Sequence, residues 1–480
     1  MKLASARKSA FPFSHVISRC AWLGIVGLIL LAGCVSTRHL DSAYAGRTSV
    51  YEPGEPNFDM VATATLRDGE PGIDCYLGIP RASLVFTPED SVYTAPYETL
   101  LRLMDRKGKT ILEEVVDRDT MQVMGYAATQ VFDQHIKQRR ITVEPGEYVL
   151  EVVLRDQNSQ SQAERRRRVE VVAPGSMQPA VSDIRLDGLR EGGAFEPVVS
   201  LHVPAGLDSM RMTVELYNAS RLGDVQVTMR LLRFESDTSA AVPPYQYQLS
   251  PAYFLIRYNQ ADTLQFSRRT LRNIDDEVIV EFDLPGLEAG MYRVEMFARR
   301  EGAPPTIVLQ RSYDFAVRSP TFPRISTLDE MIEALAYLAT DKKRETIQAA
   351  NTPVEKKRRF DAFWGSLVPQ RTRATNTLKL YYARVEEANL LYTTYKEGWK
   401  TDRGMVYIIL GSPLYVDTMV DREVWYYSYN DNDPLHTFVF ERRRMYESGG
   451  LFEAYLLRRN LQYEHEWRWA LERWLRGDML

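Results

Sequence analysis

The sequence predicts two all-β, immunoglobulin-like sandwich domains followed by an α+β domain in which helices pack on an antiparallel sheet. Between Phe58 and Val317, short runs of strand-forming residues recur, separated by turn residues. Within that stretch, Glu144-Pro-Gly146-Glu-Tyr148-Val-Leu-Glu151-Val is similar to Glu288-Ala-Gly290-Met-Tyr292-Arg-Val-Glu295-Met, at an offset of 144 residues. Beyond Pro320 the pattern changes to helix caps and to apolar residues three and four apart.

The chain opens with Lys2, Arg7, Lys8 and Arg19, has no acidic residue before Asp41, and continues into the apolar run Ala21 to Gly33. A basic head, an apolar run and small residues at a cleavage point are the order of a secretory signal, here residues 1–33. The run of 13 residues is too short for a bilayer core of about 30 Å, which takes roughly 20 helical residues. Leu31-Ala32-Gly33-Cys34 resembles the bacterial lipobox. The resemblance implies that Cys34 is lipidated and begins the mature chain. Val35 rather than Asp follows it, which by analogy with enterobacterial sorting implies the outer membrane, and no acidic cluster trails the Cys, so the protein is expected to face the periplasm.

Loss of the four basic residues of the leader takes the net charge from −4 to −8. A net acidic body argues against nucleic acid as a partner, because phosphate contacts need a clustered basic footprint. Of the three cysteines, Cys20 leaves with the leader and Cys34 takes the lipid, so Cys75 is left without a disulfide partner. Asp74-Cys75-Tyr76-Leu77 has strand character, and a buried, inert thiol is expected there. Without staples, a chain this long needs hydrophobic cores, divided over two or three domains.

Residues 34–56 are polar and turn-rich and read as a tether. In domain 57–173, Tyr97–Met104 and Thr110–Val116 flank Arg106-Lys-Gly-Lys109, a hairpin signature, and Val149–Leu154 and Arg166–Val172 form a second hairpin around a polar loop. Ala173-Pro-Gly-Ser-Met-Gln-Pro179 reads as a linker. Domain 179–318 continues with strands at Pro197–Val203, Arg211–Tyr217 and Val225–Leu231. The repeated Gly-x-Tyr segment leads each time into a strand, a polar loop and a second strand, which makes the two sandwiches related to one another.

Domain 325–480 begins with two capping boxes, Thr327-Leu-Asp-Glu330 and Thr352-Pro-Val-Glu355, the second with Pro at the first helical position. One helix then places Phe360, Phe363, Trp364 and Leu367 on one side. The next carries Leu378, Tyr381, Tyr382, Val385, Asn389 and Tyr392 as a core stripe. Gly398-Trp399-Lys400-Thr401-Asp402-Arg403-Gly404 reads as a tight turn. Gly398 frees the backbone, Trp399 anchors the core edge, Thr401 and Asp402 bond nearby amides, and Gly404 takes a positive φ. On that reading Asp402→Asn is nearly silent. Met405–Leu410, Glu423–Tyr429, His436–Glu441 and Leu451–Leu457 are expected strands of a four-stranded sheet, and the last helix presents Trp467, Ala470, Leu471, Trp474 and Leu475 before Gly477.

Gly398-Trp399-x-Thr401-Asp402-Arg403-Gly404, followed by Val406-Tyr407-Ile408, Leu410-Gly411-x-Pro413 and Trp425-Tyr426-Tyr427, resembles the GWxTD-domain proteins of bacteria. Phe363-Trp364 and Tyr381-Tyr382 fit the same pattern upstream. The resemblance spans about residues 325–475 and implies a C-terminal module of exported proteins, with no reaction or ligand attached to it.

No phosphate-cradling loop, dinucleotide fingerprint or nucleophile elbow is present. His465-Glu466 lacks the second histidine of a zinc helix, and Asn430–Asp433 lacks the glycine and distal glutamate of a calcium loop. Asp402 with Glu423 or Asp421 is the one carboxylate pairing that could serve acid–base chemistry. The expected function is therefore an envelope-anchored lipoprotein that presents its C-terminal module to an envelope protein partner, without catalysis or cofactor. The alternatives are an envelope hydrolase acting on glycan or peptide through those carboxylates, and a carbohydrate-binding module using an exposed aromatic such as Trp469.

Overall fold

The computed structural model describes residues 56–479 and the strand Arg47–Thr48, apart from residues 68, 131–133, 174, 176–177, 190–192, 205–206, 248–254, 303–308, 420, 431–432 and 445–451. The expected leader 1–33, the lipidation site Cys34 and most of the tether lie outside the described residues. Where the tether is described, Arg47–Thr48 (β1) is a strand.

The first sandwich is built from β2 (Asp59–Arg67), β3 (Glu70–Pro80), β4 (Thr87–Glu89), β5 (Val92–Met104), β6 (Ile111–Met124), β7 (Gln134–Thr142), β8 (Gly146–Asp156) and β9 (Gln162–Val171). Its sheets run β2-β3-β7 and β6-β5-β8-β9, with the short β4 also on β5. Inward residues such as Ala62, Ile73, Leu77, Leu101, Leu150 and Val152 fill the space between them. Cys75 lies in this core, and burial pushes its thiol up to about 12, so it stays protonated and inert.

The second sandwich comprises β10 (Ala180–Val181), β11 (Arg185–Leu189), β12 (Phe195–Pro197), β13 (His202–Pro204), β14 (Ser209–Tyr217), β15 (Val225–Ser236), β16 (Ile256–Leu271), β17 (Glu277–Leu284), β18 (Gly290–Arg300) and β19 (Leu309–Arg318). One sheet is centred on β11-β14-β17 and the other runs β16-β15-β18-β19-β13. The two sandwiches thus share one plan: β2-β3-β7 corresponds to β11-β14-β17, and β6-β5-β8-β9 to β16-β15-β18-β19. The repeated motif opens β8 and β18, and it makes the same contact twice. Tyr148 donates its hydroxyl to the carbonyl of Glu144, and Tyr292 to that of Glu288, both at 2.7 Å. This is a tyrosine corner, in which a ring with an apolar body and a polar tip pins the start of a strand to the preceding turn.

Pro197–Val203 is not one strand as expected. The chain leaves the first sheet after β12 and joins the second at β13, parallel to β19, so the apolar run is split by a crossing between sheets. The linker is also held: the Asn218 side-chain amide donates to the carbonyls of Ala173 and Gln178.

The C-terminal domain has α2 (Leu328–Ala334), α3 (Asp341–Gln348), α4 (Pro353–Leu367), α5 (Arg371–Tyr392), α6 (Asp402–Leu410) and α7 (Glu464–Arg476), numbered after the short α1 (Tyr126–Thr129) of the first sandwich. They pack on an antiparallel sheet of β20 (Tyr415–Thr418), β21 (Arg422–Tyr426), β22 (Thr437–Arg444) and β23 (Glu453–Leu457), with β1 added at the β20 edge. The Thr327–Glu330 capping box is complete at α2, whereas at α4 only the Thr352 half is made. Tyr381, Tyr382, Val385, Asn389 and Tyr392 of α5 are buried, and Trp364, Trp399, Trp425, Trp467 and Trp474 close around them. Among the described residues no helix is long and apolar enough to cross a membrane.

Met405–Leu410, expected as a strand, is the body of α6. Residues 404–409 are all buried, so the helix touches protein on every side and shows no apolar stripe. The sheet position expected for it is taken by β20.

Candidate functional site

The heptad Gly398–Gly404 joins α5 to α6, and each of its side chains is used within the fold. Gly398–Lys400 forms a 3-10 turn laid directly on the end of α5. A Cβ at Gly398 would lie 1.8 Å from the Ala388 carbonyl oxygen, and one at Gly404 would lie 1.9 Å from that of Gly398. Both positions therefore need glycine because backbone approaches backbone. The expectation of a positive φ at Gly404 is corrected: it sits in the first turn of a right-handed helix.

Trp399 is 2% exposed. Its amide donates to the Asn389 side-chain oxygen at 3.2 Å, its indole N–H to Glu397 at 3.0 Å, and its carbonyl accepts from the Tyr337 hydroxyl at 2.6 Å. Asn389, buried inside the aromatic stripe, reaches on to the Pro323 carbonyl at 3.0 Å. A polar residue in the stripe is thereby satisfied on both sides.

Thr401, not Asp402, caps α6. Its hydroxyl accepts from the Gly404 amide at 3.0 Å and donates to the Gly398 carbonyl at 2.7 Å. Asp402 turns away from its own helix. One carboxylate oxygen accepts from the Leu457 amide of β23 at 2.8 Å, and the other takes the Arg459 guanidinium. The expectation that Asp402 bonds nearby amides of its own turn is corrected, because Thr401 holds the Gly404 amide and Asp402 takes that of Leu457. Both side chains of the pair are about one-tenth exposed. Burial raises the Asp402 carboxyl above the ordinary carboxylate range, opposed by Arg459, the Leu457 amide and Lys396. Arg403 donates from Nη1 to both Glu423 carboxylate oxygens at 3.2 Å and lies 3.8 Å over the Tyr455 ring.

The two carboxylates singled out for acid–base chemistry are thus each held by an arginine of their own, while Asp421 pairs with Arg422 on the surface. His465 is exposed, and His436 binds Asp433 and Glu466. No metal-ligand cluster occurs among the described residues. Trp469 is half exposed, with Arg473 over its ring at 4.9 Å.

Three groups around the motif went unread in the sequence. Lys396 is buried and bonds Asp237 and the Ser239 carbonyl, both at 2.8 Å. Burial alone would raise Asp237, but Lys396 and the Ser239 hydroxyl and amide hold it below its ordinary value. Arg459 bonds the carbonyls of Val242 and Pro243 as well as Asp402. The segment that receives these contacts, 237–247, leaves the end of β15 in the second sandwich. No local pattern announces such a long-range contact; Asp237 and Lys396 stand 159 residues apart. Lys400, also buried, bridges Glu333 and Glu397 at 3.0 Å. Burial works against its charge, and the two glutamates still raise its pKa.

Residues 306–476 match the model of the GWxTD domain. The matched span starts ahead of β19, so it takes in the last strand of the second sandwich as well as the helical domain. A comparison with curated proteins found no match. Among solved structures, the chain is similar over 56% of its length to red sea bream transglutaminase, at 8% identity and a TM-score of 0.18, spanning 32% of that chain. The C-terminal domain of the Streptococcus pyogenes antigen I/II-family protein AspA matches at 8% identity and a TM-score of 0.16, over 56% of this chain and all of that one. The native conformation of E. coli alpha-2-macroglobulin matches at 13% identity and a TM-score of 0.15, over 56% of this chain and 16% of that one.

Proposed function

We propose that this protein is a lipoprotein anchored through Cys34 to the outer membrane, facing the periplasm, which presents its GWxTD module to an envelope protein partner and has no catalytic activity of its own. The observation that carries the non-catalytic half is the state of Asp402. A general acid or base must lie within hydrogen-bond reach of a substrate. Asp402 is about one-tenth exposed with a donor on each oxygen, the Leu457 amide and Arg459, and Glu423 is enclosed in the same way against Arg403, so neither is presented to a substrate. The tryptophan and glycines of the heptad serve packing in the same way. The anchoring half is supported by the basic head, the short apolar run and Leu31-Ala-Gly-Cys34.

The test pairs labelling with capture. Wild type and Cys34→Ala are expressed with a labelled fatty acid, and the envelopes are fractionated and cross-linked before detergent extraction. The expected result is a labelled wild-type chain in the outer-membrane fraction, cross-linked to one recurrent envelope protein, and an unlabelled precursor for the variant. Unchanged labelling and fractionation of Cys34→Ala would refute the anchor. Turnover of envelope glycan or peptide by the purified wild type, abolished in a folded Asp402→Asn, would refute the non-catalytic reading.

A further inference from the structure

We infer that the GWxTD module contains a peptide-binding groove, that its resident ligand is the chain's own segment 237–247, and that the same groove accepts this sequence as a separate peptide. The segment belongs to the connection between β15 and β16 of the second sandwich, yet Ala240, Ala241 and Tyr245 pack into the core of the C-terminal domain. Most of its polar contacts are made through main-chain atoms. Lys396 donates to the Ser239 carbonyl, the Ala241 amide donates to the Lys400 carbonyl at 3.0 Å, Arg459 donates to the carbonyls of Val242 and Pro243, and the Asn460 amide donates to the Pro244 carbonyl at 3.1 Å. A surface that reads successive backbone groups and leaves small pockets for side chains is how peptide receptors gain affinity for an extended chain.

The chemistry of both partners fits. Pro243 and Pro244 have no N–H to donate, so that stretch offers carbonyls only, and a guanidinium is a donor with no acceptor. The prolines also restrict the free segment, which reduces the entropy lost when it seats. Asp237 meets Lys396 at one end, and Arg468 lies 5.7 Å over the Tyr245 ring at the other. The sequence that fits is therefore an acid, then small-small-apolar-Pro-Pro-aromatic. Asp402 is a positioning residue here: it holds Arg459 toward the segment and touches none of it directly. The inference is independent of the anchoring proposed above, and it gives the heptad a recognition role that needs no catalysis.

The test uses the full chain with residues 237–247 replaced by a Gly-Ser stretch of equal length, which empties the groove. A fluorescent peptide of residues 236–247, Ser-Asp-Thr-Ser-Ala-Ala-Val-Pro-Pro-Tyr-Gln-Tyr, is titrated into it. Saturable binding is expected, weaker by at least about tenfold in wild type, where the groove is filled, which corresponds to about 1.4 kcal/mol. Arg459→Met in the replaced chain should abolish binding. Asp402→Asn should weaken it while a scrambled peptide binds neither. No binding to a replaced chain that retains native tryptophan fluorescence overturns the inference. Should the replaced chain fail to fold, Lys396→Met in the otherwise intact chain decides. Limited proteolysis within 237–247 should then accelerate about tenfold with cleavage elsewhere unchanged, as expected when a local opening equilibrium shifts. Unaltered cleavage there overturns the inference as well.

Discussion

Replacing Asp402 by Asn changes one atom, and the structure makes it costly. The carboxylate faces a donor on each oxygen, the Leu457 amide and the Arg459 guanidinium. Asn supplies one acceptor and one NH2, so whichever way it flips, a donor faces a donor. Breaking a buried pair by removing one partner costs about 3–5 kcal/mol when the remaining charge has no other contact. Arg459 keeps the Val242 and Pro243 carbonyls, so a loss of about 2–4 kcal/mol is expected. In a domain of this size that lowers the melting temperature by about 4–16 °C. Six of the seven tryptophans, all but Trp22, lie between 364 and 474, so tryptophan fluorescence during denaturant unfolding reports this domain alone. Adding Arg459→Met removes the stranded donor, and the double variant should be more stable than the sum of the two single losses by about 0.5–3 kcal/mol. An Asp402→Asn chain within about 0.5 kcal/mol of wild type would show that the carboxylate does not hold Arg459, and the reasoning would fail.

Gly398→Ala should prevent native packing of the C-terminal domain, because the new Cβ would sit 1.8 Å from the Ala388 carbonyl oxygen; a native-like unfolding midpoint by fluorescence would contradict this. Tyr148→Phe and Tyr292→Phe should each cost about 0.5–1.5 kcal/mol, and by similar amounts, since each loses one equivalent hydrogen bond; calorimetry of the two variants checks the equivalence of the corners. Stability should also fall in mild acid through His202. Burial first, and then Arg318, hold this imidazole well below its ordinary value, so the unfolded chain takes up a proton at a pH where the folded one does not. The contribution is complete above about pH 6.5 and is lost as pH falls from there toward the depressed folded value. His202→Asn should flatten the unfolding midpoint between pH 5 and 7, and an unchanged slope would exclude His202 as the source.

What could be read in advance was what local patterns encode. The two hairpins, the repeated Gly-x-Tyr segment, the Thr327 cap and the α5 stripe all follow from spacing, and each is present. Met405–Leu410 failed for a physical reason: a short run buried on all sides has no period, so strand and helix look alike. At the heptad, residue types suggested a capped turn, but Thr401 and Asp402 are both competent caps, and only the position of β23 decides which one turns outward. The glycines were read as conformational freedom when closeness of two backbones requires them. The segment from β15 was missed because its small residues and prolines look like any loop.

The seating of Ala241 in the C-terminal core has a practical consequence for anyone cutting the gene. A fragment that starts at 325, or at the matched boundary 306, discards part of its own interior. It would leave the apolar bed of Ala240, Ala241 and Tyr245 open to solvent and Lys396 facing an empty slot. Such a fragment invites aggregation, whereas one that begins before β10 keeps the segment on its apolar bed. A transferable unit must therefore hold a sandwich and the helical domain together, and recombination that separated them would have to provide a replacement for eleven residues that lie outside the recognisable motif.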